Sequence, residues 1–286
     1  MATFYAPAKI NLTLEVLARQ VDGFHGVRSV MVPLGLADEL IVETNDRFVF
    51  ACDRLELAGD DNLAVRALRA LGPPPPCRIT LRKQIPVQAG LGGGSSDAAT
   101  VLRAAMTGAF GTVAADWLQV ARALGSDVPF FLAETGALVE GTGERVTPLG
   151  ALPPWHAVIV KPPAGVATAA AYARLDERER TIRPRRDSIS IAAATALQRG
   201  DFATVQSLLH NDFQTTVAEM VPEVATSLDA LRAAGAAAPL LAGSGSSVFA
   251  LASDAAAAQS LAHRLHLPTE YAIYRTAFAP APAWRA

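Results

Sequence analysis

Apolar and polar side chains alternate along residues 8–16, near the start of the chain. The apolar positions are Ala8, Ile10, Leu12, Leu14 and Val16, and polar side chains stand between them. Because successive side chains of a strand point to opposite faces, this alternation predicts a β-strand with one buried face. The same period places Lys9 and Asn11 together on the polar face.

The rest of the first half predicts further strands and then helices. Strand-like runs cover residues 30–34, 39–43, 47–51 and 78–82. One helix is predicted from the serines after a glycine-rich loop to about Phe110. A second is predicted over residues 117–124, where apolar residues recur at the helical spacing and Gly125 follows as a suitable end. A hairpin is expected to run through residues 141–143.

We predict a domain boundary at the segment Leu152-Pro-Pro-Trp, which divides the chain into domains 1–152 and 153–286. Strands are predicted at 157–160, 248–251 and 271–278, and helices at 168–175, 188–198, 201–209, 223–234 and 255–265. Strands and helices do not alternate regularly, so the pattern indicates an α+β protein rather than a parallel βαβ fold.

Composition narrows the function classes. The chain has 286 residues, of which 51% are hydrophobic, and a net charge of −2. A near-neutral chain lacks the basic excess typical of nucleic-acid binding. We see neither a signal peptide nor a credible membrane span, and Cys52 and Cys77 form no metal or disulfide motif. We therefore expect a cytoplasmic protein with two free thiols and no nucleic-acid or membrane partner.

A loop with the sequence Gly90-Leu-Gly-Gly-Gly-Ser-Ser is the sharpest local signal. Glycines let the backbone approach a ligand closely, and Ser95 and Ser96 are suitable caps for a following helix. A helix start presents free N–H groups, so the segment suits a phosphate. It is neither a Walker A motif, which needs a lysine here, nor a complete dinucleotide fingerprint. Taken alone, an ordinary flexible turn remains the alternative.

Three segments in this order resemble the GHMP small-molecule kinases: Pro7-Ala-Lys-Ile-Asn-Leu, residues 86–96, and Ala242-Gly-Ser-Gly-Ser-Ser-Val-Phe-Ala. Further segments strengthen the resemblance, namely Asp22-Gly-Phe-His, Asp61-Asn-Leu, Leu124-Gly-Ser-Asp-Val-Pro-Phe-Phe, Glu140-Gly-Thr-Gly-Glu and Asn211-Asp-Phe. Singly these motifs are weak to moderate, but in order they are specific, and they span about residues 7–250.

The resemblance implies both a fold and a reaction. The fold would combine an N-terminal domain like the second domain of ribosomal protein S5 with a ferredoxin-like C-terminal domain, and the active site would lie in the cleft between them. Within the family, the motifs are similar to those of the branch that works in the non-mevalonate isoprenoid route. Such an enzyme uses ATP and Mg²⁺ to phosphorylate the 2-hydroxyl of a cytidine diphosphate-linked methylerythritol.

The resemblance also implies roles for single residues. Asp127 would be the catalytic base and Lys9 the catalytic lysine that stabilises the transferring charge. ATP would be held by Pro86, Val87, Gln88, Ala89, Gly90, Leu91, Gly92, Gly93, Gly94, Ser95 and Ser96. Ser95 or Ser96 is also the candidate Mg²⁺ ligand. The alternatives are purely structural roles: an aspartate in a turn or helix cap at residue 127, a surface lysine at residue 9, and serines that only cap a helix.

The substrate side is implied in the same way. Asn11 would bind the erythritol hydroxyls, and His25 would recognise the cytosine edge between the rings of Phe24 and Tyr172. Thr168 precedes that tyrosine by four residues, and Gly243, Ser244 and Gly245 would close on the substrate phosphates. The alternatives are a loop histidine bound to its own chain, a tyrosine packed in the core and a tight strand turn.

Two positions depart from the usual family residues. Phe24 stands where the family usually has tyrosine, and Gln88 stands where it usually has glycine. Two other functions stay open, namely another GHMP kinase of the homoserine or mevalonate type and a catalytically inactive binding module. The stretch at residues 22–25 favours the cytidine-linked substrate, because the other substrates need no base pocket.

Overall fold

A computed structural model describes residues 1–19, 25–178 and 188–279. The strands are β1 (Ala2–Arg19), β2 (His25–Thr44), β3 (Val49–Cys52), β4 (Cys77–Arg82), β5 (Ala137–Gly141), β6 (Arg145–Pro148), β7 (His156–Lys161), β8 (His210–Asn211), β9 (Leu240–Leu241), β10 (Val248–Ala252) and β11 (Ala272–Ala277). The helices are α1 (Leu63–Ala70), α2 (Gly93–Met106), α3 (Trp117–Leu124), α4 (Val128–Leu132), α5 (Thr168–Arg178), α6 (Ile189–Gln198), α7 (Phe202–Ser207), α8 (Phe213–Met220), α9 (Pro222–Ala233) and α10 (Ala255–His263).

Two sheets organise the described residues. A seven-stranded sheet has the order β3-β4-β2-β1-β8, with β5 paired to β2 and β6 paired to β5. A four-stranded antiparallel sheet has the order β11-β7-β10-β9. The sequence pattern predicted two strands at 30–34 and 39–43, but both lie in the single long strand β2.

The two sheets pack face to face through alternate residues of β7. Ala157 and Ile159 join a core cluster with Ile10 and Leu12 of β1, whereas the intervening valines join the core beneath α5, α8, α9 and α10. Strands β9 and β10 are therefore buried on both faces and apolar throughout, whereas the edge strand β11 is partly exposed and carries an arginine. This packing fixes the smaller sheet against the strand that carries Lys9.

Strand β1 is buried on both faces from Ala6 to Glu15, so the prediction of one buried face is wrong. Later segments of the chain cover the polar side chains. Thr13 Oγ1 donates a hydrogen bond of 2.8 Å to Ser190 Oγ, and Glu15 accepts hydrogen bonds from Ser190 and from the residue that caps α6. Burial opposes ionisation of Glu15, but these hydrogen bonds outweigh it and lower the pKa of its carboxyl.

Strand β8 shows that the two halves of the chain are interwoven. It follows the predicted boundary at residue 152, yet it pairs in parallel with β1 through Thr13–His210 and Leu14–Asn211. The boundary itself falls between β6 and β7 and stays a prediction. The sequence pattern did not predict β8, β9, α1 or α8.

Both cysteines are free, as predicted, and both are buried. Burial raises the pKa of the Cys52 and Cys77 thiols, so both are poor nucleophiles. Among the helices of the described ranges, none combines the length and apolar character needed to cross a membrane.

Candidate active site

A cavity of about 1380 Å³ opens between the glycine-rich loop, β1, the start of α4 and the start of α5. The predicted site residues that line it are Lys9, Asn11, His25, Pro86, Val87, Gln88, Ala89, Gly90, Leu91, Gly92, Gly93, Gly94, Ser95, Asp127, Thr168, Tyr172, Gly243, Ser244 and Gly245. Ser96 is fully buried and does not line it. Phe24 lies outside the described residues. The volume exceeds what one small ligand usually fills, so two ligands can meet here.

Lys9 lies at the centre of the cavity wall. Its ammonium Nζ is 3.3 Å from Asp127 Oδ2 and donates a hydrogen bond of 2.8 Å to Asn11 Oδ1. The Asn11 amide in turn donates to Ser29 Oγ at 2.7 Å, which fixes its orientation. Lys9 and Asn11 therefore share one face of β1, as the alternation predicted. The lysine side chain is buried, whereas about a third of the Asp127 side chain (34%) remains exposed to the cavity.

Asp127 is placed by the turn between α3 and α4. Gly125 ends α3, as predicted, and Asp127 immediately precedes α4. Within the described residues its carboxylate makes no capping hydrogen bond, so it is directed to Lys9 instead. The turn is supported from behind by Gly143, where any Cβ would overlap the carbonyl oxygen of Ser126. This contact explains why a glycine stands at that point of the β5–β6 hairpin.

The glycine-rich loop passes directly over Lys9. The Lys9 N–H donates to the Leu91 carbonyl at 2.9 Å. Gly92 has a φ of +73°, and a Cβ there would lie 2.9 Å from Lys9 Cγ. Glycine is thus required at residue 92 both by its conformation and by the lysine stem.

Helix α2 begins earlier than the two serines, so the prediction that they cap it is wrong. Its N-cap residue is Gly92, which provides no side-chain cap, and Ser95 lies inside the first turn. The chain can start the helix here because Gly92 takes the left-handed turn that precedes it. The first N–H groups of α2 therefore lie at the cavity without a capping side chain, which favours an anionic ligand.

Gln88 adopts the conformation that the family's usual glycine would take easily. Its φ is +52°, in the left-handed region that non-glycine residues rarely occupy. The side chain lies against Gly165, where a Cβ would be 2.6 Å from Gln88 Oε1. Glutamine at this position therefore adds a contact with the loop before α5 and keeps the loop conformation.

The second glycine loop, residues 242–247, lines the cavity and packs directly against the first. Ser247 N–H donates to the Ala89 carbonyl at 3.1 Å. A Cβ on Gly243 would lie 3.1 Å from Lys9 Nζ, so this loop also passes close to the ammonium. Ser244 and Thr168 share a hydrogen bond of 2.8 Å between their hydroxyls, which joins the loop to the start of α5.

Asn211 holds the second glycine loop, a role that the sequence analysis missed. Its buried amide donates to the carbonyls of Leu241 and Gly243, each at 2.8 Å, and its Oδ1 accepts from Phe213 N at 2.9 Å. The motif Asn211-Asp-Phe was visible in the sequence, but nothing local showed where its amide would bond. Asp212 adds a second anchor, since its Oδ2 accepts from Val16 N at 2.7 Å.

We expect Asn211→Asp to destabilise the protein by about 2 kcal/mol and to weaken its activity, because a carboxylate would face two carbonyl oxygens. Thermal unfolding and steady-state kinetics measure the two effects. Asn45→Asp is the matched control, since that amide donates a single hydrogen bond of 2.7 Å at the surface. Equal effects of the two substitutions would contradict the role of Asn211.

A buried ion cluster beneath the glycine loop was also missed. Lys83 Nζ lies 2.5 Å from Asp38 Oδ2 and 2.6 Å from Asp97 Oδ2. Asp38 also accepts from the N–H groups of Gln84 and Ile85. Asp97 has fewer partners, and its Oδ1 is buried without a hydrogen bond in the described part of the chain. Burial, partly offset by Lys83, raises the pKa of Asp97 to about 7.

The raised pKa of Asp97 predicts the direction in which stability changes with pH. Because the folded state holds a proton on Asp97 more tightly than the unfolded state does, stability falls as pH rises from about 4 to about 7. We therefore expect Asp97→Asn to gain Tm relative to wild type across that range. Parallel melting curves at pH 4.5, 6 and 7.5 measure the difference. A constant difference would show that Asp97 titrates normally.

The far end of the cavity is formed by His25 and Tyr172. Their rings stack with centroids 5.8 Å apart, and Tyr172 packs edge-on against Phe213. Burial, and secondarily the Asp127 charge, raises the pKa of Tyr172 to about 12, so its hydroxyl stays protonated. His25 Nδ1 donates to the Leu17 carbonyl at 2.9 Å, which orients the ring.

The described residues include no group of three or more side chains with metal-binding character. Mg²⁺ needs no such group where a nucleotide supplies phosphate oxygens, because it retains waters and takes only one or two protein oxygens. Of the two candidate serines, Ser95 lines the cavity and Ser96 does not. The hard oxygen of Ser95, at the start of α2, therefore fits a phosphate-bound Mg²⁺.

Two family patterns match the chain. The GHMP kinase N-terminal domain matches residues 62–135, and the GHMP kinase C-terminal pattern matches residues 193–268. The first match contains α2 with its glycine-rich start and Asp127, and the second contains Asn211 and the second glycine loop.

Named relatives align over nearly the whole chain. A 4-diphosphocytidyl-2-C-methyl-D-erythritol kinase from Symbiobacterium thermophilum is 41% identical, with 90% of this chain and 93% of that protein covered. A crystal structure of 4-(cytidine 5′-diphospho)-2C-methyl-D-erythritol kinase has a TM-score of 0.78 at 36% identity and covers 97% of this chain and 100% of that one.

More distant structures share the fold alone. The mevalonate kinase of L. major, in complex with R-mevalonate, has a TM-score of 0.69 at 14% identity, with 98% of this chain and 96% of that one covered. The two-domain α+β architecture expected from the sequence is therefore confirmed. The two more similar proteins, at 41% and 36% identity, are both named as kinases of the same cytidyl substrate.

Proposed function

The chain belongs to the GHMP kinase family, and on that premise we propose that it phosphorylates the 2-hydroxyl of 4-diphosphocytidyl-2-C-methyl-D-erythritol with ATP. It is a small-molecule kinase, and its named relatives carry this substrate in their names. The product would serve the non-mevalonate route to isoprenoid precursors. The observation that carries the proposal is the contact of Lys9 with Asp127 in a cavity large enough for both ligands.

Asp127 acts as the base in this proposal. Its carboxylate takes the proton of the attacking 2-hydroxyl as that oxygen forms its bond to the γ-phosphorus of ATP, while the bond from the γ-phosphorus to the β,γ-bridging oxygen breaks and ADP leaves. Lys9 stabilises negative charge on the transferring group, since its ammonium is buried and lies 3.3 Å from Asp127. Asn11 fixes the ammonium and contacts the erythritol hydroxyls.

The glycine-rich loop and the first turn of α2 hold the ATP phosphates. Residues 86–95 line the cavity, and the helix start favours negative charge. Mg²⁺, when bound, neutralises charge on the phosphates, and Ser95 would hold it. The second loop, with Gly243, Ser244 and Gly245, binds the diphosphate of the other substrate, supported by the hydroxyl of Thr168.

The base end of the second substrate lies beside His25 and Tyr172. The histidine recognises the cytosine edge, and the tyrosine ring supports one face of the base, with Phe24 as the proposed second aromatic. The buried free thiols agree with a reducing compartment, so we propose a cytoplasmic location.

An assay of ADP release tests the proposed function. The panel contains 4-diphosphocytidyl-2-C-methyl-D-erythritol, homoserine and mevalonate as candidate alcohols. We expect ADP release with the cytidyl substrate alone, and phosphorus NMR of the product places the new phosphate. A higher kcat/KM for homoserine or mevalonate than for the cytidyl substrate would instead assign the chain to another branch of the family. Absence of turnover with all three would support an inactive binding module.

A further inference from the structure

An acidic side chain that no sequence motif singled out lies at the base end of the cavity. Asp176 stands on α5, one helical turn after Tyr172, and its Oδ1 is 2.7 Å from His25 Nε2. Asp176 lines the cavity and its side chain is 38% exposed, whereas that of His25 is only 8% exposed. The carboxylate is therefore the more accessible partner of this pair.

The contact leaves the hydrogen-bonding capacity of His25 Nε2 unsatisfied. Nε2 is close enough to Asp176 for an ion pair, yet among the described residues it has no aligned hydrogen-bond partner and is shielded from solvent. A buried polar nitrogen without a hydrogen bond is unfavourable. A ligand amino group placed beside the pair, within reach of both atoms, would give Nε2 a partner and would engage the carboxylate as well.

We propose that Asp176 determines base specificity by accepting a hydrogen bond from the exocyclic amino group of cytosine. An ionised carboxylate only accepts hydrogen bonds. Cytosine presents an amino group at its 4-position, whereas the equivalent pyrimidine position of thymine, and of uracil, is a carbonyl oxygen. A uracil base would therefore direct an acceptor at the carboxylate, which repels it. This inference rests on the proposed function, since it requires the base to lie beside His25.

Other acidic residues of the cavity do not compete for this role. Glu56, Asp61 and Asp97 line it together with the glycine-loop segment, and Asp127 faces Lys9. Among the described acidic residues that line the cavity, Asp176 is the one in contact with His25. The adjacent Glu177 pairs with Arg174, is 63% exposed and does not line the cavity, so it is a matched control.

The test compares kcat/KM for the cytidyl substrate and its uridyl analogue in wild type, Asp176→Asn, Asp176→Glu and Glu177→Gln. We expect wild type to prefer the cytidyl substrate and Asp176→Asn to reduce that ratio by about tenfold or more. The uridyl analogue should gain activity in Asp176→Asn, because an amide N–H can donate to the base carbonyl. The control should keep the wild-type ratio, and Asp176→Glu should retain a preference for cytidyl.

Two outcomes would overturn the proposal. One is an unchanged ratio in Asp176→Asn, and the other is an equal loss for both substrates, which indicates that Asp176 only positions His25. Calorimetric binding of cytidine and uridine 5′-diphosphates to the same proteins gives a readout that does not depend on turnover. If wild type binds the cytidine nucleotide selectively but phosphorylates no substrate, the proposed function is wrong. The comparison of nucleotide binding between wild type and the Asp176 variants would still test the role of Asp176 in base specificity. If Asp176→Asn does not fold, Asp176→Ala takes its place in the nucleotide-binding titration. Loss of the preference for the cytidine nucleotide would support the proposal, and its persistence would contradict it.

Discussion

Asp127→Asn is expected to lower kcat by about 10³-fold or more, because an amide cannot take the proton of the attacking hydroxyl. The substitution keeps the size of the side chain, and Asp127 makes no capping hydrogen bond in the described structure, so α4 loses no support. Lys9 also keeps its hydrogen bond to Asn11. The fold should therefore survive, and the loss should appear in turnover rather than in ligand binding.

Single-turnover kinetics, calorimetric titration of each ligand and circular dichroism measure this effect. Asp46→Asn, at an exposed position, is the control for a simple loss of one negative charge. Lys9→Met, which keeps most of the lysine stem under Gly92, should lose activity to a similar extent. Near-normal turnover of a folded Asp127→Asn protein would exclude Asp127 as the base.

Gly90→Ala is expected to destabilise the protein by roughly 2–4 kcal/mol and to abolish most activity. Gly90 has a φ of +74°, and any Cβ there would overlap the carbonyl oxygen of Ala242. The obstacle is backbone of the second glycine loop, so no side-chain rotation relieves it. The two loops must separate, and the separation disturbs both the ATP cradle and the contact of Gly243 with Lys9.

Gly94→Ala is the matched control for stability. It lies in the same loop-helix segment at an ordinary φ, and its Cβ would meet only Leu63 Cδ1, at 3.4 Å. Chemical denaturation should show a large loss of unfolding free energy for Gly90→Ala and a change within about 1 kcal/mol for Gly94→Ala. Similar losses in both variants would show that the segment tolerates no Cβ at all, and that the loop contact is not the cause.

Local chemistry explains the elements that the sequence predicted well. Apolar spacing and an aspartate cap define α3, and Ser188 and Asp201 cap α6 and α7 at their predicted starts. Helix α1, which was not predicted, has a similar local signal, since the Asn62 side chain accepts a hydrogen bond from Ala64 N. Such signals lie within a few residues of one another, so they can be read before any folding is known.

The glycine loop shows how far a motif can be interpreted. Its composition correctly indicated a close backbone approach, but the partners of that approach are Lys9 and Ala242, which lie far away in the chain. The serines were expected to cap α2, whereas the left-handed Gly92 starts it. Composition predicts a close approach to the loop backbone, and only the tertiary packing identifies the groups that make it.

Sequence patterns alone predicted the strand that aligns Lys9 with Asn11, the glycine loop, the family and the residues that resemble its catalytic pair. The groups that support these residues became apparent only in the folded structure. Lys83 with its two aspartates, the amide of Asn211 and the contact between Asp176 and His25 all join segments far apart in the chain. Lys83 lies beside Asp38 because β4, which it follows, pairs with β2, whereas Asn211 lies on β8, which pairs with β1, and Asp176 lies on α5 beside the cavity. Such long-range pairings leave no periodic or turn signal in the sequence, because they depend on the burial of whole elements rather than on the spacing of neighbouring residues.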